Sequence, residues 1–129
     1  MKLVYISLSG NVENFVSRVG MPSLELDYLN PLIEVDEDYI IISPSYDDMI
    51  TDSFSEFVEH KDNAKHFVGV VGSGNRNFDN SYCFNAKDLS KKYNKPLIFC
   101  FEFSGTDIDI INFKKEVANI EIARTTKEN

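Results

Sequence analysis

Three short stretches of this chain bring hydroxyls, glycine and amides together at places where apolar runs end. The first is Ser7-Leu8-Ser9-Gly10-Asn11-Val12. Between a strand and a helix, such residues suit a phosphate group held at a helix N-terminus by side-chain hydroxyls and exposed backbone amides. The stretch has no lysine or arginine, so it is unlike the glycine–lysine cradle of nucleoside triphosphates and better matched to one terminal phosphate. The same residues would also serve as a tight turn, with Ser9 or Asn11 capping the helix.

The second stretch is Ser43-Pro44-Ser45-Tyr46-Asp47-Asp48-Met49-Ile50-Thr51, and the third is Gly72-Ser73-Gly74-Asn75-Arg76-Asn77-Phe78-Asp79. Each sets one aromatic residue, Tyr46 or Phe78, among small residues that let backbone approach a flat ring. A planar cofactor could be edged or sandwiched there. Tyr46 would serve equally as a core tyrosine capping a sheet.

Other chemistry finds little support. The only two histidines, His60 and His66, flank a lysine-containing connector without the spacing of a metal site and read as surface residues. Asp36, Glu37 and Asp38 read as solvated loop charge, and Asp107 and Asp109 as stabilisers of a helix N-terminus. Of two cysteines, Cys100 falls in an apolar run and reads as core filler, while Cys83 has no neighbour that would activate a thiolate. Both read as structural.

The elements that must position these loops alternate along the chain. Strands are expected at Leu3–Ile6, weakly near Leu24–Leu29, at Tyr39–Ile42, at His66–Val71 and at Leu97–Phe103. Helical spacing appears at Val12, Phe15, Val16 and Val19, closed by Gly20 and Pro22. It recurs at Ile50, Phe54, Phe57 and Val58, at Tyr82, Ala86, Leu89 and Tyr93, and at Ile110, Phe113, Val117 and Ile120. Thr106 and Asp109 are spaced as a capping box. The strands are continuous apolar runs, as expected when helices cover both faces of a parallel sheet. Five strands and four helices predict a three-layer α/β sandwich with strand order 2-1-3-4-5. In such sheets ligands sit at the carboxyl ends of the strands, where strand order reverses, and the three loops meet there.

The chain has 129 residues, 43% hydrophobic and 26% charged, which suits one domain over residues 1–123 with a polar tail at 124–129. Its net charge of −8 disfavours nucleic acid and anionic membranes as partners but could steer docking onto a basic protein surface. No secretory leader or long apolar run is seen, and there is no CxxC pair, which predicts a reducing, cytoplasmic setting.

Ser9-Gly10-Asn11, Pro44-Ser45-Tyr46, Gly72-Ser73-Gly74-Asn75-Arg76-Asn77-Phe78 and Phe101-Glu102-Phe103-Ser104-Gly105-Thr106 together resemble the NrdI family, flavodoxin-like activators of class Ib ribonucleotide reductase. The resemblance runs along nearly the whole chain in the right order, and the third loop is its most specific part. It implies an FMN-binding accessory flavoprotein. A flavodoxin-type reductase would supply electrons, and reduced FMN would react with O2 to give superoxide for the metal site of the radical-bearing small subunit. By the same match, Ser7, Ser9, Gly10, Asn11 and Val12 would hold the FMN phosphate. Ser45, Tyr46 and Asp47 would line one edge of the ring, and Ser73, Gly74, Asn75, Asn77 and Phe78 the other. One place departs from the family: Asp47-Asp48-Met49-Ile50 stands where many members carry a glycine-rich loop. That predicts a stiffer backbone at the flavin and, if the carboxylates lie near the ring, opposition to adding negative charge to it. A general flavodoxin-type electron carrier, and a flavin-free binding module of the same fold, are the alternatives.

Overall fold

The structure, a computed structural model, describes residues 1–75 and 82–128. Five parallel strands pair in the order β2-β1-β3-β4-β5, with β1 at Lys2–Tyr5, β2 at Ser23–Glu25, β3 at Tyr39–Ser43, β4 at Phe67–Gly74 and β5 at Leu97–Glu102. The helices are α1 (Asn11–Val19), α2 (Asp48–Val58), α3 (Phe84–Tyr93) and α4 (Asp107–Glu128). The architecture is the three-layer sandwich that the alternation predicts.

Alternate residues of the central strands feed two cores. On one face Leu3, Tyr5, Ile40 and Ile42 pack with Val12, Phe15, Val16 and Val19 of α1 and with Ile110, Phe113 and Val117 of α4. Phe15 lies between Phe101, stacked at 3.9 Å, and Phe113, edge-on at 5.3 Å. On the other face Val4, Ile6, Ile41 and Val70 pack with Ile50, Phe54, Phe57 and Val58 of α2 and with Ala86 and Leu89 of α3. Removing a ring such as Phe113, which is fully buried, would cost about 3–5 kcal/mol.

The helix ends follow the expected chemistry. Gly20 closes α1 with φ +77°, its N–H bonded to Val16 O. The Thr106–Asp109 capping box forms in both directions, at 2.8 and 3.1 Å. Helix α4 runs on through Arg124 to Glu128, where composition alone suggests a tail, because the Arg124 guanidinium donates to Asp38 at the amino end of the sheet.

Three further differences have physical causes. β2 is shorter than its apolar pattern suggests, because Asp27 and Asn30 bridge and Asp27 Oδ1 accepts the Leu29 N–H, turning the chain out of the sheet. Asp38 is no solvated loop charge: it accepts hydrogen bonds from His66 and Arg124, and Glu37 pairs with Lys2 at 3.2 Å. His66 is accordingly half-buried with its Nδ1 3.1 Å from the Asp38 carboxylate and not a plain surface histidine. Cys100 is only half-buried, because β5 is an edge strand.

Candidate functional site

A cleft of about 440 Å3 opens at the carboxyl ends of β1, β3 and β4, within the roughly 300–1,000 Å3 typical of ligand pockets. Its lining includes Ser9, Asn11 and Val12 from the first loop, Ser45 and Tyr46 from the second, and Ser73, Gly74 and Asn75 from the third. Ser7, Gly10 and Asp47 shape the loops without lining the cleft. Asn77 and Phe78 lie outside the described residues.

The first loop turns sharply. Gly10 precedes α1 in a left-handed conformation, φ +90° and ψ −8°, and no side chain caps it. A side chain at that backbone geometry would be strained, so glycine fits it best. Neither Ser9 nor Asn11 takes the capping role. Ser7 Oγ instead accepts the Glu13 N–H at 3.2 Å, which occupies one first-turn donor deeper in the helix. The leading N–H groups of α1, at the positive end of its dipole, are left for an anion. Val12 contributes through its backbone, since its side chain is buried in the core. Asn11 Oδ1 accepts a 2.8 Å bond from the Ser104 hydroxyl, which leaves the amide nitrogen as a donor. Ser104 is itself held in place, because the Arg18 guanidinium donates to the carbonyls of Ser104 and Gly105.

The floor is cross-braced. The Ser45 hydroxyl donates to Ser73 O at 2.7 Å, and the Ser73 hydroxyl to Phe103 O at 2.6 Å. The Phe103 N–H closes onto Gly74 O at 3.1 Å. These hydroxyls thus spend their protons on the scaffold and can offer a ligand only lone pairs.

The second loop is fixed by a residue that sequence reasoning passes over. Asn85 of α3 is fully buried; its Oδ1 accepts the Tyr46 N–H, and its Nδ2 donates to Asp47 O and Thr51 Oγ1, each at 2.8 Å. Thus Tyr46 is no core tyrosine: its backbone is anchored while its side chain is 65% exposed at the mouth. The Asp47 carboxylate caps α2, accepting the Met49 N–H at 3.0 Å, and Asp48 lies in the first turn of that helix. Neither carboxylate lines the cleft, and among the described residues none that lines it is charged.

Two aromatic walls also escape the sequence. Phe84 lines the cleft from the start of α3. Phe103 lines it from just beyond β5, half-exposed and with φ +52°, a left-handed conformation rare for a bulky residue. Alternation along β5 would set Phe103 on the same face as Phe101; the strand ends at Glu102 and the left-handed backbone at Phe103 turns the ring to the cleft, which no local pattern announces. Among the described residues no group of three or more histidine, cysteine, aspartate or glutamate side chains could hold a metal ion, and no helix is long and apolar enough to cross a membrane.

Comparison with known proteins adds to this geometry. The family described as NrdI flavodoxin-like matches residues 3–115. Over 116 residues the chain is 36% identical to a Protein NrdI of Bartonella tribocorum, covering 86% of this chain and 88% of that one. It is 30% identical to a putative NrdI-like protein of Streptococcus pyogenes serotype M18, with 99% of this chain and 96% of that protein covered. Among solved structures it is similar to a short-chain flavodoxin associated with a non-canonical PDU bacterial microcompartment, with a TM-score of 0.62 at 16% identity, covering 95% and 96% of the two chains. That last likeness is one of fold.

Proposed function

The chain belongs to the NrdI flavodoxin-like family, and from that premise we propose that it binds FMN in this cleft and serves, as an accessory flavoprotein, to activate the radical subunit of class Ib ribonucleotide reductase. The observation that carries the cofactor is the uncapped N-terminus of α1 behind Gly10, opening into a cleft whose described lining is uncharged and includes the aromatic walls Tyr46, Phe84 and Phe103.

The residues fit the group. The N–H groups of Asn11 and Val12, the Asn11 amide and the Ser9 hydroxyl would hold the phosphate without a cation, assisted by the dipole of α1. Ser45, Tyr46, Ser73, Gly74 and Asn75 would border the ring, with Asn77 and Phe78 contributing from outside the described residues. Asp47 would take part through its main chain, since its carboxylate is engaged with α2. Bound FMN would supply one-electron exchange and, when reduced, superoxide from O2. Leu8, Tyr46, Met49 and Phe103 are exposed around or near the mouth and give a protein partner apolar surface to cover. The radical-bearing subunit would dock there in the cytoplasm, and a flavodoxin-type reductase would be the electron donor.

Reconstitution followed by ultrafiltration tests the cofactor. About one FMN should stay with each chain, and FAD should wash out, because the cleft argues for one terminal phosphate. Asn11→Ala should weaken FMN roughly tenfold, the loss of a charge-assisted bond of about 1.5 kcal/mol, with circular dichroism unchanged. Failure to retain any flavin would favour the flavin-free binding module. Retained, reducible FMN with no gain in tyrosyl-radical yield from a metal-loaded class Ib subunit would favour the simple electron carrier.

A further inference from the structure

Cys83 and Cys100 are seventeen positions apart in sequence but share one small space beneath the third loop. The sheet register puts them there. Gly72 of β4 pairs with Cys100 of β5, so the two residues project toward the same face. That face is the one α3 covers, and Cys83, the residue preceding α3, fills the space left by the absent side chain of Gly72. A Cβ built on Gly72 would lie 2.9 Å from Cys83 Cβ and 3.0 Å from its Sγ. Glycine at 72 is what allows the Cys83 thiol to reach the sheet. A register shift between Val70 and Val71 completes the arrangement: Val70 pairs with Leu97 but Val71 with Phe99, so Ile98 is an extra residue that reverses which face each later residue of β5 takes. Without it Cys100 would face α4.

The pairing of Gly72 with Cys100 and the seat of Cys83 against Gly72 bring the two thiols to the same place, and neither is in a disulfide. Their environments differ. Cys83 is fully buried, and its contact with the Cys100 thiol, together with burial, pushes its own thiol well up from the ordinary range. Cys100 is half-buried on the edge strand.

We propose that Cys83 and Cys100 form a reversible two-electron redox site, a dithiol that closes to an intramolecular disulfide when it meets a peroxide. Cys100 gives up its proton and its sulfur attacks one peroxide oxygen. The S–O bond forms, the O–O bond breaks, and the departing oxygen leaves as water with that proton and the one it carried. The Cys83 sulfur then attacks the Cys100 sulfur. The S–S bond forms, the S–O bond breaks, and the oxygen leaves as a second water with the Cys83 proton. Two thiols are oxidised by two electrons, and hydrogen peroxide is reduced to two waters. The chemistry needs only these thiols and the peroxide, so it stands or falls apart from the flavin assignment.

Adding hydrogen peroxide to the full chain, then denaturing and alkylating it, tests the site. The titratable thiols should fall from two per chain to none, the intact mass should drop by two hydrogens, and one peptide should link residues 83 and 100. Dithiothreitol should restore both thiols. In Cys83→Ser the Cys100 sulfenic acid should persist and be captured by dimedone, while the wild-type chain yields little adduct. Two oxygens gained on Cys100 with Cys83 still alkylatable, equal dimedone capture in the two proteins, or linkage only between chains would each overturn the proposal.

Discussion

The two ends of the parallel sheet are built from different materials. At the amino end the chain is tied by charge: Asp38 to His66 and Arg124, Glu37 to Lys2, and the N-terminal amine to Glu121. At the carboxyl end the second and third loops are tied by neutral groups, the hydroxyls of Ser45 and Ser73 and the buried amide of Asn85, while the Arg18 guanidinium holds the loop after β5. Charges can be used freely where nothing has to bind. Around the cleft a fixed carboxylate would repel an anionic ligand and a free cation would trap any anion; the described groups that hold the second and third loops carry no net charge, and the Arg18 guanidinium is engaged by the Ser104 and Gly105 carbonyls. Beside the second loop, Asp47 is spent on capping α2 and Asp48 stands in the first turn of that helix.

The largest test of that contrast is Asn85→Ala. It leaves the Tyr46 N–H and the Asp47 carbonyl without the partners they now have at 2.8 Å, and should lower stability by about 2–3 kcal/mol. Urea denaturation reads the loss, and flavin retention should fall with it. A change under about 0.5 kcal/mol, the ordinary surface value, would mean that Asn85 is not what holds the neutral end.

Asp38→Asn should act at the other end and more gently. Burial works to raise the Asp38 carboxyl, but the hydrogen bonds and charges of His66 and Arg124 outweigh it and hold the group below its ordinary value. A carboxyl depressed on folding stabilises the protein at pH above its unfolded value, near 3.9, and that contribution disappears as pH falls through the folded value. The group is partly exposed, so solvent screening limits the loss at pH 7 to about 0.5–1 kcal/mol. The gap between wild type and variant should narrow in high salt and close below about pH 4, with flavin retention unchanged throughout. A variant that lost flavin would show that the two ends are coupled.

Tyr39→Phe should do least. Among the described residues its buried hydroxyl has no hydrogen-bond partner, and its ring sits between Phe57 and Phe67. Removing an unsatisfied hydroxyl should change stability by less than about 0.5 kcal/mol or raise it slightly. A loss above 1 kcal/mol, read by thermal unfolding, would reveal a partner for that oxygen.

Much of this molecule is legible in the sequence because its strands and helices are written in local periods. The continuous apolar runs at Tyr39–Ile42 and His66–Val71 announce a sheet covered on both faces, and the spacing of Phe113 and Val117 gives α4 its buried stripe. The residues of the first loop are legible for the same reason, since a strand ends and a helix begins within six positions. What stays hidden is set by distance along the chain. Asn85 looks like any helical asparagine until Tyr46, thirty-nine positions away, is brought onto its amide. Cys83 and Cys100 look like unrelated core residues because the extra residue at Ile98 decides which face Cys100 takes, and no local pattern announces it. Likewise the charge run Asp36–Asp38 reads as solvated until α4 is long enough for Arg124 to reach it.

The backbone of Phe103 sets folding against the cleft. For an L-residue with a β-carbon, the left-handed conformation it adopts costs on the order of 1 kcal/mol, which glycine would avoid. Phe103→Gly would release that strain and at the same time take away a wall of the cleft, so stability and the shape of the cleft pull in opposite directions at this one position.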